Sequence, residues 1–444
     1  MNWAVDRSMF KSVLVRLFQL RHELAWVVAG QTLAFLGGFA GIKLLTNAMG
    51  SEGYGRLALG MTIAGLLNMF IYGPIGQVVS RYFSVYRERG DLDIYFFVLK
   101  KAHIAAGALL IICTVAAGVL VRWWFGMDWA LLVVAASLFG IVGGINSSFL
   151  ALQGAIRQRK IVALHQAADT WARPALAIFG LWVLGNSAPS AFVGFIAGTL
   201  LVTLSQGVFA LRSSQIRAHW HAEHGKAIQW QPASREYFAY ASSITVFAGF
   251  AAISMYADRW VLQGLFGESE VGIYAALYQI GNAPVTLLIG LISQFFVPII
   301  FDRAGSMTKT LQAVSSSRLL NQVVIVCVIL LAPIVVTTYF FSEPVVRILT
   351  NAEFSKHSEV LWVIVTGVAL FNIGQLLSIK GLNFGRPDIY FFPKAVQAFM
   401  FLMLMYLLVN RYGLVGVAMA LSGSSFLYLL MVIRANRRLV MVSS

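Results

Sequence analysis

Apolar runs of about 20 residues recur from one end of this chain to the other, and they restrict its fold more than any other feature. A helix needs about 20 apolar residues to cross a bilayer, whereas a soluble core does not require so many runs of that length. Hydrophobic residues make up 59% of the chain and charged residues 11%. In lipid each span must satisfy its own backbone hydrogen bonds, so the runs are predicted to be helices, and they lack the dyad alternation of a transmembrane β-barrel. The predicted fold class is therefore all-α, a polytopic membrane protein.

We predict about twelve transmembrane helices in two pseudo-symmetric six-helix bundles. The predicted spans are 24–48, 57–80, 102–122, 129–152, 162–185, 190–211, 238–262, 272–299, 319–341, 359–379, 389–409 and 413–433. The corresponding domains are an amphipathic segment at 1–23, an N-terminal bundle at 24–211, a linker at 212–237, a C-terminal bundle at 238–433 and a basic tail at 434–444.

The first 23 residues are not predicted to span the membrane. Apolar residues recur there at helical spacing from Trp3 to Phe18, and four basic residues lie elsewhere on the helical wheel. This pattern is typical of a helix lying on an anionic lipid surface, and a solvated lead-in to the first span is the alternative. The small residues of a signal-peptide cleavage site are missing.

Lysine and arginine are distributed unevenly between alternate loops. The two termini and the five loops on the same predicted side hold 25 of the 33, and the opposite loops hold five. Because cytoplasmic loops of membrane proteins carry excess positive charge, both termini are predicted to be cytoplasmic. The net charge of +15 then reflects topology and attraction to anionic lipid, and it does not indicate nucleic acid.

A short motif occurs once in each half of the chain. GSEGYG at 50–55 aligns without a gap with GESEVG at 267–272, and an apolar segment precedes and follows each copy. We interpret the two copies as a duplication of one membrane unit, in which a short glycine-rich turn joins the first and second spans.

Charged residues inside the spans are the candidate functional residues, because a charge in hydrocarbon is costly and usually faces a cavity or a partner. Arg173 lies near the middle of the fifth span, with Asp169 and His165 one and two turns before it on the same helix face. A structural Asp169–Arg173 pair is one interpretation. The other, which we favour, is that Arg173 binds substrate while Asp169 and His165 pair with it or couple proton movement.

The matching first and seventh spans also carry charge toward their predicted outer ends. Lys43 and Arg259 are predicted to bind substrate, and Asp258 to pair with Arg259. Extension of the Lys43 side chain to the outer headgroups is an equal alternative. Uncharged hydrogen-bonding residues in the spans suggest a wet cavity between the bundles; they are Gln31, Asn68, Gln77, Asn146, Gln153, Gln279, Asn282, Gln294, Asn372 and Gln375.

The linker contains His219, His221 and His224 beside Glu223, a spacing that a metal ion could use. A solvated linker is the interpretation we favour, because such short histidine clusters are compositional signals. We therefore predict no metal site and no cofactor. The sequence shows neither a catalytic constellation nor a phosphate-binding P-loop, so the chain is predicted not to be an enzyme.

The second copy of the motif carries a resemblance to a known family. An acid-base pair, a short apolar run and then ESEVGIYAA resemble the polysaccharide transporter branch, the Wzx-like flippases, of the multidrug/oligosaccharidyl-lipid/polysaccharide exporter superfamily. The matching residues are Asp258, Arg259, Gly267, Gly272 and Tyr274, and VGVAMALS at 415–422 is typical of the last span.

This resemblance implies a flippase of the bacterial inner membrane that moves a polyprenyl-diphosphate-linked oligosaccharide, such as an O-antigen or exopolysaccharide repeat unit, to the outer leaflet. The implied partners are that substrate, membrane lipids and polysaccharide assembly proteins. An ion-coupled multidrug or cation antiporter of the same superfamily is the alternative. A membrane glycosyltransferase or polymerase is disfavoured by the short outer loops, and a non-transporting scaffold is disfavoured by the charges within the spans.

Overall fold

The computed structural model describes residues 21–220, 230–305, 309–384 and 386–443, and nearly all of these residues are helical. Most of the predicted amphipathic segment at 1–23 lies outside the described residues. So do His221, His224 and Glu223 of the predicted linker.

The helices follow one another with very short connections. The first six are α1 (Arg21–Leu67), α2 (Gly73–Arg89), α3 (Leu92–Phe125), α4 (Met127–Ala155), α5 (Arg159–Leu184) and α6 (Ala188–Arg212), with one π-helical turn at Asn68–Tyr72. The next four are α7 (Ser214–Trp220), α8 (Trp230–Phe266), α9 (Glu268–Gly305) and α10 (Lys309–Phe340). The last four are α11 (Ser342–Leu349), α12 (Ala352–Ser355), α13 (Leu361–Asn383) and α14 (Phe391–Ser443), with short 3-10 turns at Ser358–Val360 and Pro387–Tyr390.

Within the described residues, eight helical stretches are long and apolar enough to cross a membrane. Two of them, Ala25–Arg89 and Asp388–Leu439, are long enough to hold two of the predicted spans each. Two further predicted spans lie in α5 and α8, whose charged and polar residues lower their hydropathy. The predicted class is confirmed: the chain is an all-helical, polytopic membrane protein.

Glycines with positive φ mark where the chain reverses. The predicted turn at 49–56 is a kink within α1 at Gly50, whose φ is 66°. Gly267, with φ 87°, separates α8 from α9. This left-handed region suits glycine, which has no β-carbon to clash. The turn is thus shorter than predicted: Glu268 and Glu270 lie in the first turn of α9, where a negative charge complements the helix dipole.

The helices pack in two groups. Those before Ser213 pack largely on one another, as α5 does on α6 and α1 on α5, and those after Trp230 do the same, as α13 does on α14 and α9 on α13. The two groups meet where α1 packs on α9 and where α2 packs on α8. The region between the groups is where a substrate site is expected.

The predicted linker is more ordered than a solvated connection. Part of it forms α7, in which Ile216 is fully buried against the ends of α2 and α3. Its last eight residues, 230–237, begin α8, and the Tyr237 side chain is buried. The basic tail likewise continues α14 through Ser443. The burial of Ile216 and Tyr237 explains the order of the linker.

Candidate functional site

A cavity between the two helix groups holds two of the three cationic residues that the sequence predicts to bind substrate. It encloses about 360 Å³, and both Arg173 of α5 and Arg259 of α8 line it. The two residues are far apart in sequence, and only the packing of the groups brings them to one space. Asn68 and Gln279, two of the uncharged residues expected within the spans, also line this cavity.

Arg173 is held in a polar network and still reaches the cavity. Its guanidinium forms an ion pair with Asp169, and its Nε donates to the Thr199 hydroxyl at 3.0 Å. The same hydroxyl donates to Asp169 at 3.0 Å, and the Asn146 amide donates to the other carboxylate oxygen at 3.3 Å. The Asp169 side chain is 9% exposed and that of Arg173 is 30% exposed. The carboxylate is therefore buried in the structure, while the guanidinium remains accessible from the cavity.

An aromatic ring orients the Arg173 guanidinium on another side. Its Cζ lies 5.2 Å from the centre of the Phe139 ring, within the range of a cation–π interaction. Pro174 follows directly, yet α5 continues through it as one helix. The arrangement leaves a fixed, partly exposed cation that can form further hydrogen bonds with an anion.

Arg259 has a different environment. Its Nη1 donates to the Met255 carbonyl at 2.7 Å, and it lies only 3.5 Å from the Asp258 carboxylate, which accepts the Arg259 backbone N–H at 2.8 Å. The guanidinium also lies 5.1 Å from the centre of the Tyr278 ring. The Asp258 carboxylate also accepts the backbone N–H, so its ion pair with the Arg259 guanidinium is weak. The Tyr278 ring packs beside the same guanidinium.

His165 lies on the expected helix face without reaching the cavity. Its two ring nitrogens lie 2.8 Å from the Ile161 carbonyl and 3.1 Å from the Ser205 hydroxyl, and the ring packs edge-on against Phe209. Eight residues along a helix correspond to about 12 Å, so a shared face does not bring His165 to the space that Arg173 lines. The predicted proximity of Asp169 to Arg173 is observed, and that of His165 to the cavity is not.

Lys43 lies at the predicted outer end, away from the cavity. Its ammonium donates to the carbonyls of Arg347 and Thr350, at the end of α11. A cation at the C-terminus of a helix is stabilised by the exposed carbonyls and the helix dipole. The structure therefore places Lys43 in a contact between the two helix groups.

Other contacts at the same end also join the groups. Ser51 of α1 lies 2.7 Å, oxygen to oxygen, from Ser269 of α9, and it also donates to Glu353 of α12. Arg56 forms an ion pair with Glu268. Ser51 and Arg56 precede Ala58, the first residue of α1 that lines the cavity, so these contacts lie on its predicted outer side.

Aromatic residues join the groups at the opposite, predicted inner end. The rings of Tyr82 in α2 and Tyr237 in α8 lie 4.7 Å apart, centre to centre. The Arg81 guanidinium lies 4.6 Å from the ring of Tyr240. The cavity thus lies between two sets of contacts, one at each end of the molecule.

Three features of the site were not predicted from sequence: a π-helical turn, the Tyr256 side chain and the Thr199 hydroxyl. Asn68 begins the π-helical turn, a distortion that frequently occurs at functional sites, and its amide donates to Ala64 and Gly140. Tyr256 lines the cavity three residues before Arg259, and that spacing on one helix was the signal that could have found it. Thr199 had no such signal, since it joins Arg173 only through packing of α6 on α5.

Of the three linker histidines, His219 lies within the described residues. His219 Nδ1 lies 2.5 Å from the Asp93 carboxylate, which ties α7 to the start of α3. No cluster of three or more potential metal ligands occurs in the described part of the chain.

Several solved structures with the same fold are described as membrane transporters. The inward closed structure of the lipid II flippase MurJ shares 14% identity, with a TM-score of 0.66 over 94% of this chain and 90% of that one. An outward-facing multidrug resistance MATE transporter shares 12% identity, with a TM-score of 0.67 over 95% and 96%. The bent form of the MATE transporter VcmN of Vibrio cholerae shares 14% identity, with a TM-score of 0.61 over 98% of each chain. At these identities the likeness establishes the fold.

The helical fold defines a class, the polytopic membrane proteins that share the fold of these transporters. Within that class the sequence is more specific. Residues 20–303, well over half of the chain, match the family described as Polysaccharide biosynthesis protein, and the chain belongs to this family. The family resemblance seen in the sequence motif is thereby confirmed.

A curated relative is consistent with that assignment. The capsular polysaccharide biosynthesis protein CapF of Staphylococcus aureus is 20% identical over 172 residues. The match covers 39% of this chain and 42% of that relative, so it spans less than half the length of CapF.

Proposed function

We propose that this protein is a flippase that moves a polyprenyl-diphosphate-linked oligosaccharide across the membrane. The observation that carries the proposal is the pair of guanidiniums, Arg173 and Arg259, at one cavity between the helix groups of a polysaccharide biosynthesis protein. A diphosphate loses its water on entering the membrane, and guanidiniums replace that water with charge-assisted hydrogen bonds. The Tyr256 hydroxyl, the Asn68 amide oxygen and the Gln279 amide nitrogen in the same lining suit the hydroxyls of sugars.

Transport would follow from alternate opening of the two sets of contacts. In our proposal the chain has twelve spans in two pseudo-symmetric bundles, which correspond to the two packing groups. Breaking the tyrosine contacts opens the cavity to the predicted cytoplasmic side, and breaking the contacts of Ser51 and Arg56 opens it to the outside. Such rocking of two related units about a central site is an established mode of alternating access.

The ion-coupled antiporter is less well supported. A transporter of cations needs a carboxylate that a cation can reach. Among the described residues that line the cavity there is no aspartate or glutamate, and both intramembrane carboxylates already pair with arginine. The fold alone, which MATE transporters share, does not distinguish the two functions.

The decisive experiment measures translocation of a fluorescent lipid-linked oligosaccharide in proteoliposomes. Purified protein should move the label to the opposite leaflet, and the Arg259→Gln variant should lose most of this activity. The matched control is Arg411→Gln, because Arg411 is an exposed arginine that does not line the cavity. This variant should behave as wild type. Proton-driven efflux of a cationic dye without movement of the lipid would identify an antiporter instead.

The proposed orientation, with both termini cytoplasmic, is tested separately by cysteine labelling. In a background without Cys113 and Cys327, Ser214→Cys should be labelled from the cytoplasmic side and Ser342→Cys from the outer side. Labelling of both positions from one side would contradict this topology. The proposed location is the bacterial inner membrane, with lipid-linked substrate, membrane lipids and polysaccharide assembly proteins as partners.

A further inference from the structure

A second cavity meets the first at Arg173. It encloses about 190 Å³, and four residues line both cavities: Ala58, Met61, Arg173 and Gln279. We refer to the larger cavity, which reaches Arg259, as the polar chamber. The smaller one, which extends along α1 past Gly37, Gly38 and Gly41, is the apolar chamber. Arg173 is thus the only charged side chain at the junction of the two described chambers.

The linings of the two chambers differ in chemistry. Apart from the shared residues, the apolar chamber is walled mainly by glycines and by Ile42, Leu45, Leu57, Pro174 and Phe195. Its two remaining polar side chains are already engaged: the Thr170 hydroxyl donates to the Gln166 carbonyl at 2.8 Å, and the Tyr54 hydroxyl donates to Gln279 at 3.3 Å. A ligand in this chamber therefore meets hydrocarbon on most sides until it reaches Arg173.

The apolar chamber opens at Gly38. Gly37 and Gly41 let α1 approach α5 closely, since β-carbons there would lie 2.9 Å from Trp171 and 3.3 Å from Pro174. Gly38 differs from both. It is exposed, and a β-carbon there would have no atom within 4 Å. A chain longer than the chamber can leave it at this point.

We propose that the apolar chamber holds the first isoprenoid units of the lipid, with the diphosphate at Arg173 and the sugars in the polar chamber. This inference rests on the proposed function and adds the orientation of the substrate. In a polyprenyl-diphosphate sugar, one doubly anionic group separates an apolar chain from a polar head. The chambers repeat that order, with hydrocarbon on one side of Arg173 and hydrogen-bonding groups on the other. The rest of the polyprenyl chain passes Gly38 and stays in the bilayer.

Two glycines allow each chamber to be filled separately. Gly38 lines the apolar chamber, and Gly143 lines the polar chamber, where the nearest atom to a β-carbon would be the Asn68 amide nitrogen at 3.9 Å. Both positions are helical, have room for a β-carbon and line a cavity, so we expect Gly38→Leu and Gly143→Leu to fold. The two probes are geranylgeranyl diphosphate, which has no sugar, and a glycosyl methyl diphosphate, which has no lipid.

Affinities of the purified full-length protein for the two probes test the proposal. Gly38→Leu should lower the affinity for geranylgeranyl diphosphate by about tenfold, because leucine displaces apolar contacts only in the apolar chamber. It should leave the affinity for the glycosyl diphosphate unchanged. Gly143→Leu should lower the affinity for the glycosyl diphosphate and leave that for geranylgeranyl diphosphate unchanged. Arg173→Gln should lower both affinities. If Gly38→Leu reduces protein yield, Gly38→Cys modified with a short alkyl thiosulfonate in the cysteine-free background gives the same test.

The possible failures are distinguishable. If wild-type protein binds neither probe, the proposed function fails. If it binds both, but filling the apolar chamber leaves geranylgeranyl diphosphate unaffected or weakens the glycosyl diphosphate instead, the function stands and the proposed orientation is overturned.

Discussion

Gly55 and Gly272 face each other where α1 crosses α9, and neither position has room for a β-carbon. A β-carbon on Gly55 would lie 2.7 Å from the Glu268 carbonyl carbon, and one on Gly272 would lie 2.9 Å from the Ser51 carbonyl carbon. The relationship is reciprocal, because each glycine is the sixth residue of its motif copy and contacts the second residue of the other. Small residues permit this close backbone approach between membrane helices.

Alanine at either glycine should separate the two helices. We expect Gly55→Ala and Gly272→Ala each to destabilise the folded protein by about 1–3 kcal/mol, the usual cost of inserting a methyl group into a packed contact. The measurement is the unfolding temperature in detergent. Because the contact is reciprocal, the two variants should lose similar stability.

The matched control is Gly264→Ala in α8, where a β-carbon would meet no atom within 4 Å. Alanine favours a helix over glycine by about 1 kcal/mol, so this control should be neutral or slightly more stable than wild type. Unchanged stability of both Gly55→Ala and Gly272→Ala would show that the crossing is looser than the structure describes.

We expect that transport requires the contact between Ser51 and Ser269 to separate. With their hydroxyl oxygens 2.7 Å apart, Ser51→Cys and Ser269→Cys in a background without Cys113 and Cys327 should form a disulfide on oxidation. We expect the cross-linked protein to lose lipid translocation and to regain it after reduction. Oxidised protein carrying only Ser51→Cys is the control, and full activity of the cross-linked protein would remove this contact from the proposed cycle.

Substitution of Lys43 should weaken the contact between α1 and α11 more than it weakens substrate binding. Lys43→Gln removes the charge at the carbonyl end of α11 and should destabilise that contact by about 0.3–2 kcal/mol, which faster amide exchange in residues 342–355 would report. Affinity for a prenyl diphosphate should stay as in wild type, and Lys43→Arg should restore the exchange rate. A large loss of affinity in Lys43→Gln with normal exchange would instead support the substrate-binding role predicted from the sequence.

The sequence predicts local features of this protein well and distant contacts poorly. Hydropathy identifies the helical class, and the four-residue spacing predicts that Asp169 pairs with Arg173, because both depend on neighbours along one helix. The partners of Lys43 could not be predicted, since Arg347 and Thr350 are about 300 residues away along the chain. The repeated motif is the exception. Its alignment identified Gly55 and Gly272 as equivalent, although not as a contact.

The limits are similar within the site. Charge in a span drew attention to Arg173 and Arg259, which line the cavity. The helix face alone could not separate His165, which packs on α6, from Arg173, which reaches the cavity. The burial of Ile216 could not be predicted either, because a single apolar residue in a polar stretch gives no periodic signal.

The final prediction concerns whether Arg173 binds substrate or only holds helices together. Arg173→Ala alone leaves the Asp169 carboxylate buried without its ion pair, which can cost about 3–5 kcal/mol, so its effect on transport would combine folding and function. The double variant Asp169→Asn with Arg173→Gln removes both charges and keeps groups that can bond to Thr199 and Asn146. We expect this variant to reach the membrane in normal amount and to translocate no lipid-linked oligosaccharide, whereas Arg173→Lys should retain part of the activity, since a point charge attracts phosphate without the bidentate geometry.

Thr199→Val provides the matched control for the network. It removes the hydroxyl between the Arg173 Nε and Asp169 but leaves both charges, so it should cost about 1–3 kcal/mol of stability while translocation continues. Quantitative blots of membrane fractions and the proteoliposome assay measure the two quantities for every variant. If the charge-free double variant transports as well as wild type, the pair is structural and Arg173 has no role in binding the diphosphate.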